Sequence, residues 1–372
     1  MKSLLIILII ITGLAYLSQR ESMKYSNEDG RKHWDIYLIL LLVFLILFAG
    51  LRTSYNDTYH YMKGFSNSVN IYEFINDKDN FDLLHNPLFY GFQALVKTFT
   101  SNFNVFLLLC AMIVNFLNVR FIKRNVENED FALSMFLYVT LGTLMISIAA
   151  QKQILAMSVL TIAISFLFEK KYTKYYCVVF IAGLIHTYAW LFFVLPVFNT
   201  KPWTLRTYFS LILTFGFMLT FQSSIMKFIE VADQIGKNVS IEEVFDGNRM
   251  NIFRVMVYSI VPLLALFFKS RLNGVYNNKT QVFIQMGIIS LMFMLMGTMN
   301  GANMFGRTAN YFEFGFICAL PWVLRQLFTK QSIKLTTIVL MTCFIGFYMY
   351  DNQGFEQIYH HKTLTQFISE VI

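Results

Sequence analysis

Charge is scarce in this chain. Asp, Glu, Lys and Arg make up 14% of its 372 residues, while 56% are hydrophobic; soluble domains carry about 25% charged residues. A water-soluble globular enzyme is excluded at that ratio, as are disordered chains, which need high polarity. Proline is down to 5 residues and cysteine to 4, which removes collagen-like and disulfide-stapled scaffolds. Cys110, Cys177, Cys318 and Cys343 all fall inside apolar runs with no CxxC among them, so they read as small packing residues. No GxxxxGK[ST], dinucleotide-binding glycine pattern or GxSxG occurs. ATP-driven transport, soluble nucleotide-sugar chemistry and serine hydrolysis therefore find no support. His60, His85, His186, His360 and His361 stand at no metal-ligand spacing with a Cys or carboxylate, so neither metal nor cofactor is expected.

What the chain has in quantity is long apolar runs. A bilayer span needs about 20 mostly apolar residues, and runs meet or approach this at 3–18, 36–51, 103–121, 131–150, 153–168, 207–221, 252–268, 281–299, 308–327 and 334–350. A transmembrane barrel would alternate instead. The run Leu4 to Leu17 lacks a small-residue cleavage site and reads as a retained span. The run 175–198 carries His186 in its middle and Pro196 near its end. It fits a re-entrant hairpin of two short helices better than one span. Asn86-Pro87 opens 88–99 as a surface helix begins. With this arrangement and the N-terminus outside, Lys123-Arg124, Lys170-Lys171, Lys174, Lys201, Arg206, Lys269, Arg271, Lys279, Arg325, Lys330 and Lys334 lie inside, as the positive-inside rule requires. The net charge of +8 is thus topology rather than nucleic-acid binding. The expected fold is all-α: one polytopic membrane domain over 1–372, about ten full spans plus the hairpin, with long outer loops at 52–102 and 222–250. Both loops are rich in Phe, Tyr and Ile and are expected to fold back on the bundle.

Several outer cations have no topological reason to be there: Arg52 after Gly50-Leu51, Lys152 in a three-residue turn Gln151-Lys152-Gln153, Arg249 and Arg254 beside a span, and Arg307. Snorkelling interface residues are one reading of each. A cradle for a strongly anionic ligand, a diphosphate above all, is the other, because charge near the apolar region is costly and is kept where it binds. Asp57, five residues past Arg52, is either a helix N-cap or a general base on a sugar hydroxyl. Tyr55, Tyr59, Tyr61, Phe65 and Tyr72 suit stacking on sugars, or an aromatic belt. His186 is an intramembrane histidine, a functional candidate by position, or one bonded to a neighbouring helix. His360-His361 reads as a solvated pair. Glu313 is the acid that falls within a span, so the spans offer no charged path across the bilayer. This disfavours the alternative of a lipid-linked oligosaccharide flippase or other transporter.

The stretch Gly50-Leu51-Arg52 followed by Asp57-Thr58-x-x-Tyr61 resembles the EpsG family of Wzy-like bacterial polysaccharide polymerases. Lys152-Gln153-Ile154-Leu155-Ala156 is similar to that family's Arg-Gln-x-x-Ala, with Lys in place of Arg. Ile181-Ala182-Gly183-Leu184-Ile185-His186-Thr187 is similar to its hairpin tip. Gly306-Arg307-Thr308-Ala309-Asn310-Tyr311-Phe312 is similar to its late Arg-x-x-x-Tyr-Phe, while Asn86 stands where many members carry Glu. The resemblance covers about residues 45–325. It implies a membrane glycosyltransferase of GT-C-like architecture in the bacterial cytoplasmic membrane, active at the outer face. Such an enzyme transfers a glycan from undecaprenyl diphosphate to an acceptor repeat unit, building exopolysaccharide, capsule or O-antigen. An O-antigen-type ligase is a further alternative. Implied roles are Asp57 and His186 in catalysis, Arg52, Lys152, Arg249 and Arg307 on the diphosphate, and Tyr61, Gln153 and Tyr311 on sugar or lipid. Implied partners are the lipid-linked oligosaccharide, membrane lipid and a chain-length regulator, with no nucleic acid.

Overall fold

Apolar runs in lipid can satisfy their backbone only by closing it on itself, and the computed structural model is helical almost throughout. It describes residues 2–25, 34–220 and 247–371. The described strands are short: β1 (Arg52–Ser54) and β2 (His360–His361). Five helices are long and apolar enough to cross a membrane: Lys2–Lys24, Phe103–Asn125, Gln151–Phe168, Asn278–Met296 and Ser332–Asp351. An 18-residue helix covers about 27 Å, close to the hydrocarbon thickness. Asn128–Thr140 and Thr143–Ala149 make a sixth if taken as one span bent by 48°. The bend falls at Gly142, which takes a φ of 104°, a conformation open to a residue without Cβ. Shorter apolar helices occur at Ile36–Gly50, Tyr172–Ile185, Thr187–Phe198, Leu205–Leu219 and Ile252–Phe267. The chain is a multi-pass membrane protein.

Two boundaries differ from the apolar runs. The run 308–327 is broken: helices Ala302–Asn310 and Glu313–Leu327 meet at Tyr311-Phe312, so Arg307 lies in the earlier, more polar helix. Gln151, Lys152 and Gln153 are not a turn but the first turn of the helix Gln151–Phe168, with the joint at Ala150. The expected outer loop 222–250 lies outside the described residues up to position 246. The segment 52–102 is folded into helices Thr58–Ser66, Ile71–Asn76 and Pro87–Phe99. The first and third are seated on helix 103–125 by Phe65 and Phe89, whose rings lie 5.3 and 5.9 Å from Phe106.

The chain packs as two compact units, residues 1–193 with 337–372 and residues 194–336. In the first, helix 103–125 lies between helices 36–50 and 151–168. Gly50 lets helix 36–50 approach helix 103–125 closely: a Cβ there would fall 2.9 Å from the Leu108 Cα. The run 172–198 folds back on itself at His186. Tyr176 stacks on Phe193 at 5.5 Å, Phe180 meets Trp190 at 5.4 Å, and the Tyr175 hydroxyl donates to the Phe192 carbonyl. Earlier residues pair with later ones in reverse order, which is the geometry of a helical hairpin. In the second unit, helix 278–296 packs on helices 252–267, 302–310 and 313–327. Gly315 lets helix 313–327 approach closely, since a Cβ there would lie 2.6 Å from the Phe283 carbonyl oxygen.

Candidate functional site

The Gly50-Leu51-Arg52 motif sits where helix 36–50 ends. The last carbonyls of a helix have no intrahelical donor, and here each finds one. Phe48 accepts from the Tyr359 hydroxyl at 2.7 Å, Ala49 from Arg52 Nη1, Gly50 from Asn104 Nδ2 at 3.3 Å, and the C-cap Leu51 from the Lys362 amide at 2.9 Å. Arg52 is 1% exposed. Its Nε donates to Thr58 Oγ1 at 3.2 Å and its Nη2 to Gln151 Oε1 at 2.5 Å. Burial lowers its pKa to about 10, so it remains charged at neutral pH. The expected phosphate ligand therefore faces the protein interior, and its positive charge is delivered to the first turn of helix 151–168.

Lys152 lies one residue beyond Gln151 and is half-buried. Its Nζ donates to the Tyr90 hydroxyl at 2.8 Å and lies 4.6 and 5.5 Å from the Tyr90 and Phe89 ring centroids. Its backbone amide donates to the Tyr61 hydroxyl at 3.5 Å. Among the described residues no carboxylate pairs with Lys152. Helix 151–168 has no acid in its first turn and no side-chain cap, so its N-terminal dipole adds to the lysine charge. Both favour negative charge at this place.

Tyr90 belongs to the helix Pro87–Phe99, whose N-cap, Asn86, takes a φ of 58°. Asn is among the few side chains that reach this left-handed conformation readily, and Pro87 supplies the following φ. Asn86 Oδ1 accepts from the Thr187 amide at 3.1 Å, tying the surface helix to the hairpin tip. His186 caps the C-terminal end of helix 172–185 there, edge-on to Tyr188 at 5.0 Å. Asp57 occupies the N-cap position of helix 58–66, yet its side chain makes no cap hydrogen bond, so the capping role is not the one it performs. It precedes Thr58, the residue that receives Arg52 Nε, and its carbonyl accepts from the Tyr61 amide at 3.1 Å. Arg52, Asp57, Tyr61, Lys152 and His186 thus lie along one connected set of contacts in the first unit. Gln153 is also there but is 2% exposed, with Nε2 3.8 Å from Met157 Sδ.

Arg249, Arg307 and Tyr311 belong to the second unit. The segment before helix 252–267 is pinned by Met250 N to Gly297 O at 2.8 Å and by Ala302 N to Asn248 O at 3.1 Å. Met250 lies against Gly306, where a Cβ would come within 3.1 Å of the Met250 Cε. Arg249 and Arg307 each flank that contact by one residue, and both are exposed. Tyr311 is 1% exposed, an interior residue at the break between two helices. Glu313, also buried, accepts a hydrogen bond from the Tyr258 hydroxyl.

Residues to which the sequence assigns no site role complete the first unit's set. Gln151, next to Lys152 in the chain, accepts from Arg52, Thr58 receives Arg52, Tyr90 holds the Lys152 ammonium, and Asn86 holds the hairpin. His360 and His361 are exposed as expected, but they also form β2 and pair antiparallel with β1. Their distance along the chain gives no sequence signal. Gln151, adjacent to Lys152, had one. Among the described residues no three His, Cys, Asp or Glu gather as a metal would require. The model of the EpsG family matches residues 35–362. No curated protein and no solved structure matches the chain.

Proposed function

We propose how a chain that belongs to the EpsG family, a family of Wzy-like polysaccharide polymerases, carries out its polymerisation. The donor is an oligosaccharide repeat unit on undecaprenyl diphosphate, and the reaction takes place at the outer face of the bacterial cytoplasmic membrane. The acceptor is the sugar hydroxyl of the next repeat unit. Asp57 takes the proton of that hydroxyl as its oxygen bonds to the donor's anomeric carbon. The bond from that carbon to the diphosphate oxygen breaks, and undecaprenyl diphosphate leaves with the electron pair. Negative charge develops on the leaving diphosphate, and preorganised positive charge there is the largest expected contribution to rate.

The observation that carries this reading is the Lys152 ammonium. It is held at the start of helix 151–168 by a tyrosine hydroxyl and two aromatic faces, with no carboxylate pairing among the described residues. Arg52 supports it from within through Gln151. Arg249 and Arg307 are assigned to the diphosphate by the same reading, His186 to the leaving group or its surroundings, and Tyr61 to the sugar. Gln153 and Tyr311 are assigned to sugar or lipid by the same reading, although both are buried. The test is complementation of a strain lacking the polymerase, with polymer length as the readout. Asp57→Asn and Arg307→Ala are expected to abolish long polymer at normal protein level. Full-length polymer from both variants would refute the residue assignment.

A further inference from the structure

We propose that the C-terminal segment Phe355–Lys362 is a positioning element of the catalytic site, with Tyr359 the residue that fixes Arg52 and the turn leading to Asp57. This rests on the reading above. The segment reaches back across the chain to grip both sides of Arg52. Upstream, the Tyr359 hydroxyl donates to the Phe48 carbonyl at 2.7 Å. Downstream, the Lys362 amide donates to the Leu51 carbonyl at 2.9 Å. Between them β2 pairs with β1, His361 opposite Arg52 and His360 opposite Ser54. Helix 36–50 cannot satisfy its last carbonyls itself, so the Phe48 and Leu51 carbonyls at its end depend on donors more than 300 residues away.

The side chains act as a wedge. The Tyr359 ring lies 4.8 Å from Phe355, 5.0 Å from Phe48 and 6.2 Å from Tyr55. Tyr55 also meets Phe355 at 5.7 Å. The Tyr55 carbonyl accepts from both the amide and the hydroxyl of Thr58, at 2.9 and 2.6 Å, and Thr58 Oγ1 in turn receives Arg52 Nε. The wedge therefore lies against Tyr55, midway along the turn from Arg52 to Thr58, and reaches through the Tyr55 carbonyl to Thr58, the residue after Asp57. The family match ends at Lys362, the residue that closes the last of these bonds. It leaves out the final helix Leu364–Val371, which makes none of them.

The experiment uses full-length protein in lipid nanodiscs with an undecaprenyl-diphosphate-linked repeat unit as donor and acceptor. It compares wild type, Tyr359→Phe, Tyr359→Leu and a chain ending after Lys362. Tyr359→Phe keeps the wedge and loses one hydrogen bond, so kcat is expected to fall about fivefold. Tyr359→Leu loses both and allows a displacement of order 1 Å, so kcat is expected to fall about a hundredfold, with KM within about threefold of wild type. Amide exchange at Leu51–Thr58 should quicken in step, and the chain ending after Lys362 should polymerise like wild type. A Tyr359→Leu protein with wild-type kcat overturns the proposal, as does a loss lying in KM alone. Should Tyr359→Leu fail to fold, Tyr359→Phe decides: unchanged kcat refutes the proposal. If wild type itself makes no polymer from this donor, it is the proposed reaction that fails.

Discussion

Gln151 offers a test of charge separated from shape. Its side-chain oxygen accepts from the Arg52 guanidinium at 2.5 Å, and both residues are buried. Gln151→Glu is nearly isosteric, and it turns that hydrogen bond into a buried, hydrogen-bonded ion pair, so the fold is expected to hold. What changes is the field. The new carboxylate cancels Arg52 and stands one residue from Lys152. A phosphate seated on Lys152 lies roughly 8–10 Å from it, and at an effective dielectric near 20 a unit charge at that range costs about 2 kcal/mol. If one further unit of negative charge develops on the leaving diphosphate, kcat falls about thirtyfold. The assay is polymer formation by purified protein with lipid-linked donor, alongside a thermal melt. A folded Gln151→Glu protein with wild-type kcat would refute the electrostatic account of Arg52. Gln151→Met gives the contrasting result: it leaves a guanidinium N–H buried without its acceptor, at a cost of about 1.5–3 kcal/mol. Its melt should therefore fall where that of Gln151→Glu does not.

Other outcomes follow from single contacts. Lys152→Gln should cut polymerisation by about a hundredfold or more while leaving thermal stability unchanged or slightly raised; reduced stability would show the lysine to be a structural residue. Tyr90→Phe removes the hydroxyl from the ammonium and should lower activity only a few-fold, about the value of one hydrogen bond, as measured in the same assay. Gly50→Ala places a methyl group 2.9 Å from the Leu108 Cα, which forces two helices apart at a cost of about 1–3 kcal/mol, readable in a melt. Glu313→Leu strands the buried Tyr258 hydroxyl and should destabilise by about 1–3 kcal/mol. Glu313→Gln keeps an acceptor and should come close to wild type in the same melt.

The helix positions were legible because lipid burial leaves a continuous apolar run: 36–51 and 103–121 become Ile36–Gly50 and Phe103–Asn125. The fold-back at His186 was legible too, since a histidine and a proline interrupt one run. The break at Tyr311-Phe312 was not, because Ala309, Tyr311 and Phe312 are as apolar as their surroundings and hydropathy cannot sense a change of direction. The inward turn of Arg52 was also hidden. A motif shows that an arginine follows a helix end, but two of its side-chain acceptors, Thr58 and Gln151, lie 6 and 99 residues away. Only a tertiary fold brings the second into reach. The C-terminal strand is the extreme case: its neighbour Tyr359 lies 311 residues from the carbonyl that it satisfies.

The cations do not carry equal weight as evidence, and the helix dipole separates them. Arg307 sits in the last turn of helix 302–310, where the carbonyl end of the dipole favours a positive side chain by about 0.3–1 kcal/mol; fold stability alone accounts for its being there. Lys152 sits in the first turn of helix 151–168, where the same effect opposes it. An acid at that position would serve the helix better. The rings of Phe89 and Tyr90 offset the cost, at about 0.5–1 kcal/mol for an exposed cation on an aromatic face, so the lysine is tolerated without adding stability. A charge placed against the local preference and held by neutral partners gains most when an anion arrives. That is the reason to expect Lys152→Gln to separate activity from stability, the pattern of a residue kept for function at the fold's expense.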